Sequence, residues 1–123
     1  MIAPQELRLD SLLYVPGLFG PSTLVEAVES INAKGEISTK STQAHFSCYR
    51  PIELTEEWLF KLGYECDKNE YCVSGFDRFN VFQSVKGPYI FCDDEKSIRY
   101  VEYVHQLQNI FFALTGEELT INE

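Results

Sequence analysis

Two histidines, four cysteines and a short run of alternating polar side chains are the residues of this chain whose types could do chemistry. His105 lies three residues after Glu102 and four before Asn109, so on a helix these side chains meet. A carboxylate-oriented imidazole can act as a general base. No Ser, Cys or Asp stands at a spacing that would complete a triad, and H-E-x-x-H is absent. The expectation for His105 is a surface histidine making local hydrogen bonds. The second run, His45-Phe46-Ser47-Cys48-Tyr49-Arg50, alternates. Read as a strand, it places His45, Ser47 and Tyr49 on one face and Phe46, Cys48 and Arg50 on the other. That face is either a ligand-contacting strip or an ordinary exposed sheet surface.

Cys48, Cys66, Cys72 and Cys92 are spaced by 18, 6 and 20 residues with no C-x-x-C pair, which gives little support to zinc. Two disulfides in any of three connectivities are one reading. Free thiols in a reducing compartment are the other and the preferred one, since Cys48, Cys72 and Cys92 sit in strand-like runs as small hydrophobes. Gly17, Gly20 and Gly35 match neither a dinucleotide fingerprint nor a P-loop. Asp93-Asp94-Glu95 and Glu117-Glu118 lack the oxygen spacing of a calcium loop and read as solvated turns. The chain is therefore expected to be no enzyme, with no metal and no cofactor.

The elements that would position these residues follow from pattern. Tyr100, Tyr103, Val104, Leu107, Ile110, Phe111 and Leu114 fall on one arc at helical period, with Glu102, His105, Gln106 and Asn109 opposite. This predicts a long amphipathic C-terminal helix that stops at Thr115-Gly116. A second, two-turn helix is predicted over 54–63. Thr55 is its N-cap, Glu56 and Glu57 sit at the positive end of its dipole, and Gly63 is its stop. Trp58, Leu59 and Leu62 should anchor it to a sheet. Leu12 to Val15 reads as a strand closed by Pro16-Gly17 and Gly20-Pro21. Residues 23–33 fit a helix face but also strands, because Lys34-Gly35 reads as a hairpin turn, and strands are preferred. A meander follows: Tyr64–Cys66, a turn through Lys68-Asn69, Tyr71–Val73, Phe79–Val85, a turn at Lys86-Gly87-Pro88, and Tyr89–Cys92. Strands, short helix, strands and long helix make an α+β pattern.

Length and charge bound the rest. With 123 residues, 45% of them hydrophobic, the chain is expected to be a single domain with its own core. Nineteen acids against ten bases give a net charge of −9. The excess is steepest after residue 90, where seven acids face two bases. Such a chain repels DNA, RNA and anionic membrane at long range. It is either simply soluble, or it docks a basic partner, or it keeps a local anion site. The start, MIAPQELRL, has no basic n-region and no apolar run of signal-peptide length, and the longest apolar stretch is Ile110–Leu114. A cytoplasmic protein is expected.

Three segments carry a resemblance: ELRLDSLLY, PIELTEEWLFKLGY and YVHQLQNIFFALTGEEL. Together they resemble a family of small uncharacterised proteins of gut anaerobes and their phages and mobile elements, whose usual forms are similar to ELRIGN, PIPLTEEWLLKFGF and YVHQLQNLYFALTGEEL. Asp10-Ser11 departs from that family's usual Gly-Asn. The resemblance implies an SH3-like, barrel-like half followed by helix, meander and helix, and it implies no activity or catalytic residue. From the phage context and the aromatic richness (nine Phe, seven Tyr, one Trp) comes the expectation of a non-catalytic binding protein. It would be an anti-defence protein that sequesters a nucleotide signal. Arg50, Arg8 and Lys40 are the expected phosphate holders, with Tyr49 or Phe46 as the stacking surface and His45 as a further ligand contact on the polar strip. The alternative, from charge, is an acidic protein–protein inhibitor or nucleic-acid mimic acting on a host protein. A homo-oligomer is compatible with either.

Overall fold

A computed structural model describes residues 7–17, 20–67, 70–73, 75–76, 79–84, 88–93, 96–119 and 121. The turns expected at Lys68-Asn69 and Lys86-Gly87, the carboxylates Asp94 and Glu95, and Glu6 of the N-terminal motif lie outside them. The chain groups into two compact units. Unit 1 is Met1–Ile52 with Val104–Asn109, and unit 2 is Glu53–Tyr103 with Ile110–Glu123.

Unit 1 is built from short strands. β1 (Leu12–Gly17) and β2 (Gly20–Ala27) form an antiparallel hairpin, with Leu12 opposite Ala27 and an irregularity between Tyr14 and Pro16. β3 (Ser30–Ile31), β4 (Glu36–Ser38) and β5 (Gln43–His45) form a three-stranded antiparallel sheet in that order. Within residues 23–33 the structure has strand at 23–27 and 30–31 and no helix, as preferred. Asn32 makes the β3–β4 turn: its side-chain oxygen accepts from the Lys34 and Glu36 amides at 2.9 and 3.0 Å, and Gly35 takes the left-handed φ of 83° that a Cβ would oppose. Alternate residues of β1, Leu13 and Val15, turn inward to meet Val28, Ile37 and Tyr49 in one apolar cluster, flanked by Leu7, Ala44 and Phe46.

Unit 2 holds α1 (Glu56–Lys61) and a five-stranded antiparallel sheet. In chain order its strands are β6 (Tyr64–Asp67), β7 (Glu70–Val73), β8 (Phe79–Gln83), β9 (Tyr89–Asp93) and β10 (Lys96–Val101), and each pairs with the next. The short helix forms as its caps predict. The Thr55 hydroxyl accepts from the Trp58 amide at 3.3 Å, Glu56 and Glu57 occupy the first turn, and Gly63 turns left-handed at φ 94°. Trp58 and Leu59 are buried, and so are Val81, Phe91 and Val101 from the sheet. Edge-on ring contacts add to this core, Phe76 against Phe111 at 5.1 Å and Tyr71 against Tyr89 at 6.0 Å. Tyr71 also donates its hydroxyl to the Glu56 carboxylate, which ties β7 to the first turn of α1. That acceptor and burial together hold the Tyr71 hydroxyl well above the usual phenol range.

The architecture is α+β: mostly antiparallel sheet, one short helix and one C-terminal helix. The described strands make sheets of two, three and five, and none closes into a barrel. The C-terminal helix also differs from its predicted span. α2 runs Val104–Thr115, because the residues before it are drawn into β10, where Tyr100 pairs with Ile90 and Val101 with Tyr89. Tyr100, expected on the buried arc, is 59% exposed, and Leu114 is 43% exposed. The helix instead buries Val104, His105, Leu107, Gln108 and Phe111. This is an i, i+1, i+3, i+4, i+7 stripe rotated toward the polar residues. His105 is therefore no surface histidine: it is fully buried.

Candidate functional site

The six residues expected to hold a ligand all fall in unit 1, but they divide sharply in what they do. Arg8 is a structural strut. Its Nε donates to Oδ1 of Asn109 at 2.7 Å and one terminal nitrogen donates to the Gln108 carbonyl at 2.8 Å. Beside it, Gln108 reaches back to the same segment, accepting from the Leu12 amide at 2.8 Å and donating to the Asp10 carbonyl at 2.9 Å. The N-terminal segment and the start of the C-terminal helix are thus tied by side chain–side chain and side chain–backbone bonds. Asp10 takes φ 72° at this point. That conformation strains most side chains and suits Gly.

Tyr49 is likewise not a stacking surface. Its ring is 3% exposed within the unit 1 core, and its hydroxyl donates to the Ile37 carbonyl at 3.0 Å. Burial pushes that hydroxyl's pKa up. The strand expected through His45–Tyr49 ends at His45, and Phe46–Cys48 form a 3-10 turn. The physical reason is local competition. His45 Nδ1 accepts from the Ser47 amide at 3.2 Å, and the Phe46 amide donates to the Gly35 carbonyl at 2.8 Å, so the backbone leaves the ladder. Phe46 turns half-buried against the core, and its ring centre lies 4.3 Å from that of His45. Gly35 underlies both rings, since a Cβ there would come within 3.1 Å of His45 and Phe46.

His45, Lys40 and Arg50 remain exposed. Lys40 stands close enough to Glu26 to help hold its carboxyl below the usual range. The larger cause there is the Thr39 hydroxyl, which donates to it at 2.7 Å, as the Ser41 hydroxyl does. Arg50 is paired through its backbone with Tyr14, N–H to carbonyl in both directions at 3.1 and 3.0 Å, and its guanidinium sits 5.2 Å over the Tyr14 ring. Tyr14 carried no sequence signal for this role, because only the β-bridge brings it opposite Arg50.

All four cysteines are free. Cys48 and Cys66 are exposed, not packed as small hydrophobes, while Cys92 is buried and its thiol is pushed up by that burial. Cys66 pairs with Tyr71 and Cys72 with Glu65, which puts the two thiols on opposite faces of the sheet. Among the described residues no group of three His, Cys, Asp or Glu side chains could hold a metal ion, and no helix is long and apolar enough to cross a membrane.

The charge is strongly segregated. Unit 1 contains five acids and four bases, whereas unit 2 contains fourteen acids and six bases, so they carry −1 and −8 of the total. Within unit 2 a cleft of about 340 Å³ lies where Glu53 bridges to Tyr103 and the Leu54 amide donates to the Glu102 carbonyl at 2.9 Å. The buried side of its lining is Leu54, Tyr89 and Val101, and the outer side is Glu53, Pro88, Glu102 and Tyr103. Among the described residues no basic side chain lines it. Sequence reasoning missed this cleft, because only tertiary pairing joins residues so far apart in the chain. No protein family, curated protein or solved structure matches this chain.

Proposed function

We propose that this chain is a non-catalytic binding protein that docks a basic protein partner through unit 2, in the manner of an inhibitor or nucleic-acid mimic. The observation that carries the reading is the charge segregation, −8 in unit 2 against −1 in unit 1. A one-sided negative field raises the encounter rate with a cationic surface and rejects acidic ones. It also opposes a nucleotide wherever unit 2 is the nearer surface. The test is calorimetric titration with an arginine-rich peptide and a glutamine-rich peptide of equal length, at about physiological ionic strength, where surface charges are screened beyond roughly 8 Å. Binding of the basic peptide alone, weakening with added salt, is the expected result. Equal or absent binding of both sinks the reading.

A second reading has one observation of its own. Arg50, exposed and stacked over Tyr14, offers a planar fork suited to phosphate on the nearly neutral unit. On this reading the protein sequesters a nucleotide signal as a phage or mobile-element anti-defence protein, with His45 and Lys40 as the other exposed contributors. Titration with cyclic and ADP-ribose-type nucleotides decides it: micromolar binding lost in Arg50→Ala supports it, and no binding removes it. The five short strands around one core in unit 1 fit an SH3-like ancestry for that half, and the free thiols fit a cytoplasmic setting.

A further inference from the structure

We propose that Ser47 is a serine activated by His45, which takes up an acyl group from small activated carboxylic esters. The pair lies within unit 1, on the 3-10 turn that follows β5. Both side chains are exposed, and the Ser47 hydroxyl oxygen stands 2.8 Å from Nδ1 of His45. A second bond decides where the proton sits in that contact. The Ser47 backbone N–H also meets Nδ1, at 3.2 Å, and a backbone N–H can only donate. Nδ1 is therefore the bare nitrogen of a neutral ring whose proton is on Nε2, and the serine hydroxyl must donate to it. The base already holds the proton of Oγ, and the oxygen itself is open to solvent. That is the arrangement of a nucleophile paired with its base.

The imidazole is also held in place. The Ser47 amide fixes Nδ1, and the Phe46 ring lies against the His45 ring at 4.3 Å between centres and 36° between planes. Phe46 in turn packs on the unit 1 core. Gly35 leaves the room, because a Cβ there would come within 3.1 Å of Nε2. Capping of the turn accounts for the 3.2 Å bond to the amide but not for the shorter bond to the hydroxyl. In the step proposed, Oγ attacks the ester carbonyl carbon while its proton passes to Nδ1. The Oγ–C bond forms as the bond to the leaving oxygen breaks, and the proton departs from Nδ1 with that oxygen. The products are an acyl-serine and a free alcohol or phenol, with nothing oxidised or reduced. Half-buried Phe46 beside the pair offers an aryl ester a flat apolar surface. This acceptor role needs no turnover and stands apart from both binding readings, since neither a basic partner nor a nucleotide enters it.

The probe is p-nitrophenyl acetate added to the full chain, with the acetylated residues and their rates read by peptide-mapping mass spectrometry. A positioned general base is worth about 10²–10⁴-fold, so Ser47 should be acetylated at least about tenfold faster than Ser30, an exposed serine of the same unit. His45→Asn separates activation from capping. The Asn side-chain oxygen is a good cap for the Ser47 amide but is no base, so the turn stays and Ser47 should fall to the rate of Ser30. Circular dichroism confirms the fold of the variant. Wild-type Ser47 reacting no faster than Ser30 overturns the proposal whatever the variant does. A His45→Asn rate equal to that of the wild type also overturns it and leaves His45 a cap alone. So does acetyl found on His45 or Cys48 and not on Ser47.

Discussion

Gln108 offers the sharpest test of how unit 1 is held together. It is 1% exposed, and its amide satisfies two backbone groups: the Leu12 N–H at 2.8 Å and the Asp10 carbonyl at 2.9 Å. Gln108→Leu keeps most of the volume and removes both bonds. The Leu12 amide is buried and would be stranded, at a cost of about 1–3 kcal/mol, while the Asp10 carbonyl lies at an exposed residue, regains water, and forfeits only about 0.5–1.5 kcal/mol. The expected loss is therefore about 2–4 kcal/mol, or roughly 10 °C in melting temperature for a chain of this size. Urea unfolding followed by circular dichroism reads it as a lower midpoint at unchanged slope. Gln108→Glu adds a second readout. The carboxylate still accepts from Leu12 but, ionised, has nothing to donate to Asp10, and burial raises its folded pKa above the unfolded value. Stability of that variant is then closest to wild type below the unfolded carboxylate pKa and is lost as pH rises through the folded one. A Gln108→Leu loss under about 0.5 kcal/mol, or a Gln108→Glu deficit that does not change with pH, would refute the reasoning.

The remaining expectations are simpler. Asp10→Gly should stabilise by up to about 1 kcal/mol and Asp10→Val should destabilise, since φ is 72° there; thermal melts of the two variants decide it. Phe111→Ala, which empties a 1%-exposed site against Phe76, should cost about 3–5 kcal/mol in chemical unfolding, and a cost below about 1 kcal/mol would remove the helix from the core. Native protein should expose Cys48 and Cys66 to a thiol reagent at once and Cys92 only on unfolding, with all four titrating after denaturation without reductant. Glu26, whose folded pKa is lowered by its Thr39 and Ser41 donors, should contribute stability above the ordinary carboxylate value of 4.5 and lose it as pH falls through the folded pKa; Glu26→Gln should flatten that acid limb.

What could be read from the sequence was what local rules govern. The α1 helix has cap, dipole charges and stop within a few residues of one another, and it forms where those residues place it. The β6–β7 hairpin and the strands at 79–83 and 89–93 likewise follow from alternation and turn chemistry. What failed was decided by partners distant in the chain. Tyr100 fits a helix arc as well as a strand, and pairing with β9 settles it in favour of the strand. Tyr49 and Arg8 read as ligand residues because their chemistry suits a ligand. The fold uses the same chemistry internally, a phenol closing on a carbonyl and a guanidinium closing on a helix.

The same asymmetry bears on where binding is to be sought. Polar groups that the chain already satisfies, such as those of Arg8, Gln108 and Tyr49, would have to surrender an internal partner before taking an external one, at about the cost of an unmade hydrogen bond. Unit 2, which carries −8, favours a cationic partner over an anionic one, whereas an anion site on the nearly neutral unit 1 works against no such field. Among the nucleotide candidates Arg50 alone combines exposure with a preset orientation over Tyr14, so any anion site on unit 1 must be built around it.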